Sequence, residues 1–222
     1  MMSILLPFLS VVLGFIIALF LQKEVRFTQH LLSFSGALLL SILVFEFLPH
    51  VYEDYHPEIG LLVMGGVLLQ VLLEFMSKGA EHGHTHQDED LKKFPLLLFI
   101  GLCIHSFMEG FPIANNVHLM IGVVLHKFPV AIVISTFLLN SSLSKNKIYL
   151  FILIFAIMTP LGSILNQGFV QTPQIQLYVD AVVVGILLHV STTILFESSK
   201  NHQFNLSKII AILLGIGLAY LL

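Results

Sequence analysis

Apolar runs of about twenty residues recur along the chain, and charged or turn residues separate them at nearly regular intervals. A helix needs about 20 mainly apolar residues to cross the roughly 30 Å hydrocarbon layer of a bilayer. The runs are continuous and lack the alternation of a transmembrane strand, which favours helices over a β-barrel. The pattern predicts eight membrane-spanning helices at residues 3–22, 31–50, 59–77, 95–114, 118–139, 148–169, 177–197 and 206–222.

Composition supports an all-α integral membrane protein with a single transmembrane domain over residues 1–222. The chain is 57% hydrophobic and 10% charged, with a mean hydropathy of +0.96, which is more apolar surface than a soluble domain of this size buries. The first apolar run has no basic leader and no small-residue cleavage site, so we expect a membrane span rather than a secretory signal. No basic run could neutralise a series of phosphates, which argues against nucleic acid as a partner.

Basic residues predict how the spans are oriented. Nine of the ten lysines and arginines fall in alternate loops, and by the positive-inside rule those loops are cytoplasmic. Both termini are therefore expected outside, in a multi-pass protein of the cell membrane. The tenth basic residue, Lys127, lies inside the fifth span.

Two loops have unusual compositions. The outer segment 52–58 carries acidic side chains and no lysine or arginine, which fits either an acidic mouth or a solvated turn. The cytoplasmic loop 79–93 is rich in histidine and carboxylate, and such tracts are typical of metal binding, although a flexible linker has a similar composition. Its histidines are His82, His84 and His86.

Ionisable residues inside the spans are the strongest functional signal. They are costly in lipid, so they usually mark a site or a pathway. His105 and Glu109 are four residues apart in span four and share one helix face. His126, in span five, lies at about the same depth counted from the opposite side. Imidazole and carboxylate groups placed in this way can share one cation.

Other spans carry further candidate ligands. Glu46 and His50 are four residues apart in span two, and Glu46 is the deeper of the pair. His189, in span seven, fits either a metal ligand or a hydrogen-bond donor between helices. Glu74 and Glu197 lie near the cytoplasmic ends of their spans, where interface capping is the expected role.

Prolines follow the two central histidines. Pro112 and Pro129 lack an N–H, so the carbonyls of Met108 and Leu125 are expected to lose their usual donors. Carbonyls freed beside a histidine and a glutamate would suit a cation, although prolines in membrane helices also serve packing alone.

A site of two imidazoles and two carboxylates suits Zn²⁺ and also accepts Fe²⁺ or Mn²⁺. Cd²⁺ is a further candidate. Because a ligating imidazole must be neutral, we expect affinity to fall as the pH drops below about 6.5, the ordinary pKa of histidine.

The motifs that carry these residues resemble those of the ZIP family of zinc and iron permeases. They are HSFMEG at 105–110, HKFPVA at 126–131 and FEFLPH at 45–50, followed by the histidine-rich loop after span three. The resemblance implies a bundle in which spans one to three and six to eight form inverted repeats around spans four and five. It also implies that a metal is held by Glu46, His105, Glu109 and His126. The sequence offers His50, Ser106 and His189 as secondary candidates.

The sequence departs from the family pattern where many relatives hold a second metal. Lys127 and Val130 stand at the positions of the bridging carboxylates, Ser106 stands where asparagine is frequent, and Thr159 occupies a position that can be acidic. A lysine ammonium would repel a second cation, so we expect one metal at the central site.

The resulting hypothesis is transport of a divalent cation, with zinc uptake into the cytoplasm by alternating access as the expected activity. A membrane-embedded metal hydrolase would also place histidine and carboxylate in lipid, but no HExxH helix is present. We therefore expect no enzyme. A metal sensor that does not transport is the third hypothesis, and the oligomeric state, a homodimer included, stays open.

Overall fold

The computed structural model describes residues 1–21, 26–53, 56–77, 94–170, 172–197 and 206–222. Within these ranges the chain is built from helices and turns, without a strand, as the sequence predicts. The helices are α1 (Met2–Leu21), α2 (Arg26–Ile42 and its continuation to Val51), α3 (Pro57–Ser77), α4 (Leu96–Glu109), α5 (Val117–Leu139), α6 (Lys145–Phe169), α7 (Pro173–Glu197) and α8 (Leu206–Leu221).

Helix α2 changes from α-helical to π-helical winding at the turn that carries the predicted ligand Glu46. The α-helical segment Arg26–Ile42 passes into a π-helical segment, Leu43–Phe47, and then into the short α-helical segment Leu48–Val51. Pro49 accounts for the change, because its ring has no N–H and would collide with a carbonyl four residues earlier in a regular helix. The wider turn, in which the Leu48 N–H reaches back to the carbonyl of Leu43, accommodates it.

Seven of the helices are long and apolar enough to cross a membrane, and they correspond to the first seven predicted spans. The eighth, Leu206–Leu221, has 16 residues and is therefore only about 24 Å long. That is less than the roughly 30 Å of a hydrocarbon layer. The all-α, multi-pass membrane architecture is confirmed, with the last helix the shortest of the predicted spans.

Helix pairing follows the pattern expected for inverted repeats. Helix α3 packs along α7, and its counterpart α8 packs along α2. In the same way α1 packs on α5, while its counterpart α6 packs on α4. Exchanging α1–α3 for α6–α8 and α4 for α5 converts the first contact in each of these two pairs into the second. The central helices α4 and α5 are thus flanked by both repeats.

The interior holds two apolar clusters, and α5 contributes to both. One cluster is centred on Phe151 and Phe155 of α6, and the other on Leu38 and Leu43 of α2. Large apolar side chains such as Phe75 are exposed on the outer surface of the bundle, as lipid-facing residues should be.

Paired glycines allow the closest helix crossings. A Cβ atom at Gly66 of α3 would collide with the carbonyl of Val182, and one at Gly185 of α7 with the carbonyl of Val63. Gly110 and Gly162 have the same relation where the end of α4 crosses α6. Small residues at such crossings let two helix backbones approach in a membrane, where packing rather than the hydrophobic effect holds helices together.

The junction between α4 and α5 differs from the sequence prediction in one respect. Helix α4 ends at Glu109, and the backbone turns through the 3₁₀ segment Pro112–Ala114. The carbonyl of Met108 accepts a hydrogen bond from the N–H of Phe111 at 3.2 Å, so Pro112 ends the helix without leaving that carbonyl free.

The loop 79–93 predicted to bind metal, with His82, His84 and His86, lies outside the described residues. Its role stays a prediction.

The α3–α7 crossing supplies a test of the fold. Gly66→Ala should lower the free energy of unfolding by about 1–3 kcal/mol, because the added methyl group overlaps the Val182 carbonyl. Denaturant titration of the purified protein in detergent would measure it. The matched control is Gly65→Ala, because a Cβ there meets no atom within 4 Å. Equal losses in the two variants would contradict the crossing.

Candidate metal site

Two central helices bring three metal-ligating side chains together in the interior. His105 and Glu109 come from α4 and His126 from α5, and one ligand atom from each lies within 4.8 Å of the others. All three side chains are buried, with Glu109 fully inaccessible. His105 Nε2 lies 3.0 Å from Glu109 Oε1, as expected for residues one turn apart on the same face. The two residues whose spacing along α4 predicted a shared cation therefore also lie close to His126.

Lys127 lies beside this group and forms a buried ion pair with it. Its Nζ donates to Glu109 Oε2 at 2.8 Å and also to the hydroxyl of Ser106. The ammonium group additionally lies 4.9 Å from the centre of the Phe155 ring, which adds a cation–π contact. The two carboxylate oxygens of Glu109 therefore face different partners, with Oε2 toward the lysine and Oε1 toward the histidine.

The α4 segment that carries the site is attached to α6. The hydroxyl of Thr159 donates to the backbone carbonyl of Ser106 at 2.8 Å. One turn further along, Gly110 and Gly162 let the two backbones touch. These contacts hold the last turn of α4, and with it Glu109, at a fixed distance from α6.

A glutamine that sequence analysis did not single out contacts the site from α3. The side chain of Gln70 is fully buried, and its Oε1 lies 3.0 Å from His105 Nδ1. An uncharged amide in an apolar span is a weaker signal than an ionisable group, although it too is costly in lipid without a partner.

Glu46 has partners other than the three converging side chains. Its Oε2 lies 2.6 Å from His118 Nδ1, and its Oε1 accepts a hydrogen bond from Asn116 Nδ2 at 3.1 Å. Asn116 also caps α5, since its Oδ1 accepts from the N–H of Leu119 at 2.7 Å. The structure does not bring Glu46 to His105, so its predicted role as a fourth ligand stays a prediction.

The secondary candidates make contacts with residues other than the three converging side chains. His50 is exposed, 3.9 Å from Glu53, and His189 Nε2 lies 2.5 Å from Glu74 Oε2 in a contact that joins α7 to α3. This agrees with the hydrogen-bonding alternative for His189 and gives Glu74 a partner beyond interface capping. The hydroxyl of Ser106 faces Lys127.

Two further polar residues were missed by the sequence analysis. His118 lies in the first turn of α5 and is the first residue of the predicted fifth span. Asp180 of α7 is buried and accepts a hydrogen bond from Gln176 Nε2 at 2.8 Å. Asp180 is an ionisable residue within the predicted span 177–197, and that feature alone marks it as a candidate.

Chemically, the three converging side chains offer two imidazole nitrogens and one carboxylate oxygen. Zn²⁺ readily takes such ligands, and three of them leave one tetrahedral position for water or an incoming group.

Comparison with known protein families decides the classification. The family model described as ZIP Zinc transporter matches residues 77–222, which is more than half of the chain. The chain belongs to the ZIP family. The matched region contains α4 and α5 and therefore all three converging side chains, whereas Glu46 and Gln70 lie before it.

Individual ZIP family relatives are distant in sequence. Zinc transporter ZIP9-B of Xenopus laevis is 26% identical over 129 residues, which cover 53% of this chain and 42% of the relative. Zinc transporter ZIP1 of Danio rerio is 27% identical over 134 residues, covering 57% and 44%. Protein zntD of Dictyostelium discoideum is 28% identical over 162 residues, covering 62% and 24%. The chain thus spans less than half the length of these relatives.

The ion pair in this ZIP family site supplies a second test. Lys127→Met should lower the free energy of unfolding by about 3–5 kcal/mol, because it leaves the Glu109 carboxylate buried without its cation. Adding Glu109→Gln should recover most of that loss, because the unpaired charge is then removed as well. Denaturant titration of both variants in detergent measures this. Additive losses in the double variant would contradict the pairing.

Proposed function

We propose that this ZIP family member carries a divalent cation, with zinc as its main substrate, through the membrane by way of the site on α4 and α5. The main support for this proposal is the convergence of His105, Glu109 and His126 in the interior of a bundle of helices long enough to span a membrane. Membership of a zinc transporter family supports the same activity.

The cation reaches the site from the end of the bundle where α4 joins α5. Exposed groups at that end, among them His50, Glu53 and His56, offer weak ligands to an arriving ion. Glu46 and His118 lie next along the route and are half exposed. In this proposal Glu46 acts as a ligand only after it leaves His118, when α2 has moved relative to α5.

The central site holds one cation at a time. Lys127 supplies a fixed positive charge on the Oε2 side of Glu109, where a second metal would need ligands and negative charge. The single carboxylate charge of the site is already balanced by the lysine. A bound Zn²⁺ is therefore held without an excess of anionic ligands, which favours its release.

The competing hypotheses make different demands on the site. A hydrolase would need space for an extended substrate beside the open metal position. A sensor would bind the cation but would not release it on the other side. Membership of a transporter family favours transport over both.

Further features belong to the same proposal. The charge distribution of the loops supports an orientation with both termini outside. Within this proposal the cation moves into the cytoplasm across the cell membrane. Fe²⁺, Mn²⁺ and Cd²⁺ are alternative substrates for a His/Glu site. A homodimer is compatible with the lipid-facing surface.

Zinc uptake into proteoliposomes tests the function. Purified protein should accumulate radioactive zinc, and His105→Ala or Glu109→Ala should reduce uptake to the level of empty vesicles, because each removes a ligand from a set of three. His30→Ala is the matched control, since His30 pairs with Ser207 at 2.8 Å away from the site and should leave uptake unchanged.

Two outcomes would contradict parts of this proposal, and a third would show that the variants do not test it. Undiminished uptake in both ligand variants would exclude the assigned site. Zinc binding without any uptake by the unmodified protein would favour a sensor. Equal loss in His30→Ala would point to general misfolding rather than loss of a ligand.

Metal stoichiometry tests the role of Lys127. The background variant should have His82, His84 and His86 replaced by alanine, so that the loop does not contribute. Equilibrium dialysis should then find one zinc per chain in the background protein and two after Lys127→Asp, because a cation is exchanged for a carboxylate. Lys127→Met is the control and should stay at one. An unchanged count in Lys127→Asp would refute the argument from charge repulsion.

A further inference from the structure

Gln70 is the residue of α3 that reaches the candidate metal site. Its Oε1 lies 3.0 Å from Nδ1 of His105, and both side chains are buried. The other ring nitrogen of His105, Nε2, lies 3.0 Å from Glu109 Oε1. Each nitrogen of this imidazole therefore has its own oxygen neighbour.

The chemistry of the contact determines which nitrogen can bind a metal. An amide oxygen only accepts hydrogen bonds, so the contact with Gln70 stabilises the tautomer in which Nδ1 carries the proton. In a neutral imidazole only one nitrogen is protonated. In that tautomer the lone pair is on Nε2, which faces Glu109 and the space shared with His126, where it can bind a cation. The Glu109 carboxylate also only accepts hydrogen bonds and favours the opposite tautomer until a cation takes the lone pair of Nε2.

The helix packing around Gln70 makes this contact specific. Gly101 lies one turn before His105 on α4, and a Cβ at Gly101 would lie 3.0 Å from the carbonyl of Leu73 on α3. The glycine lets the two helices approach closely enough for the glutamine to reach the ring. Four residues further along α3, Glu74 contacts His189 instead, so the two polar groups of this helix have separate partners.

We propose that Gln70 is the positioning residue of the metal site, holding His105 in the Nδ1-protonated tautomer with Nε2 directed at the cation. The inference rests on the proposed function and adds a residue outside the three ligands. Groups that hydrogen-bond the second nitrogen of a metal-binding histidine typically change metal affinity by about 10–100-fold when they are removed.

Zinc affinity of the purified protein tests the proposal without measuring transport. The protein, with the three loop histidines replaced by alanine, is titrated in detergent against a chelating zinc indicator. Gln70→Met should raise the zinc dissociation constant by about 10–100-fold, because the side chain keeps its length but loses the strong acceptor. Gln70→Glu should retain or improve affinity, since a carboxylate also accepts from Nδ1.

Nitrogen NMR of the ring supplies a readout that a merely structural role would not change. With ¹⁵N-labelled histidine and zinc bound, His105 should have a protonated Nδ1 and a metal-bound Nε2 in the unmodified protein and in Gln70→Glu. In zinc-free Gln70→Met the proton should shift from Nδ1 toward Nε2 relative to the zinc-free unmodified protein, because the Glu109 carboxylate is then the acceptor left beside the ring. Gln176→Met is the matched control, because it breaks an amide contact with Asp180 and should change neither measurement.

The outcomes separate this inference from the proposed function. If the unmodified protein binds no zinc, the proposed metal site itself fails. If it binds zinc and Gln70→Met binds equally well with an unchanged ring signature, the positioning role is overturned. Lost affinity in Gln70→Glu also overturns it, since the amide would then be the donor; this variant decides the matter if Gln70→Met does not fold.

Discussion

The pairing of Glu109 with Lys127 is the interaction on which the centre of this molecule depends. A carboxylate buried among membrane helices is tolerated only when a nearby positive charge or several donors compensate for its lost hydration. Lys127 provides that charge 2.8 Å from Oε2. The other oxygen, Oε1, is then available to the His105 side, where the three candidate ligands meet. This one ion pair therefore has two results. It balances the charge of Glu109 within the fold, and it leaves Oε1 directed toward the space where a cation would bind.

Holding this pair in place requires helices that cannot move apart freely. The crossing at Gly110 and Gly162 brings the backbones of α4 and α6 into contact, and the Thr159 hydroxyl ties α6 to the carbonyl of Ser106. On the opposite side Gln70 of α3 contacts His105. The ligand-bearing turn of α4 is thus held from two sides. In a bilayer such local contacts matter because apolar helix surfaces gain little by leaving lipid.

Helix α2 presents a different kind of element. Its π-helical segment and Pro49 interrupt the regular backbone where Glu46 projects toward His118 and Asn116. A short π-helical turn inside an α-helix frequently marks a functional site. The contrast between the tightly held α4 and the interrupted α2 is the physical basis for expecting motion at α2 if the chain acts as proposed above.

Sequence alone determined those features that depend on local periodicity. The lengths of the apolar runs predicted the spans, and the 3.6-residue turn placed His105 and Glu109 on one face. Tertiary structure decided the partners. Whether a span residue such as Gln70, Glu46 or Asp180 meets a histidine, an asparagine or a glutamine depends on how each helix is rotated and how closely it crosses its neighbours. Those variables are set by packing at distant glycines and by breaks in the helix, which the spacing of polar residues along one helix does not encode.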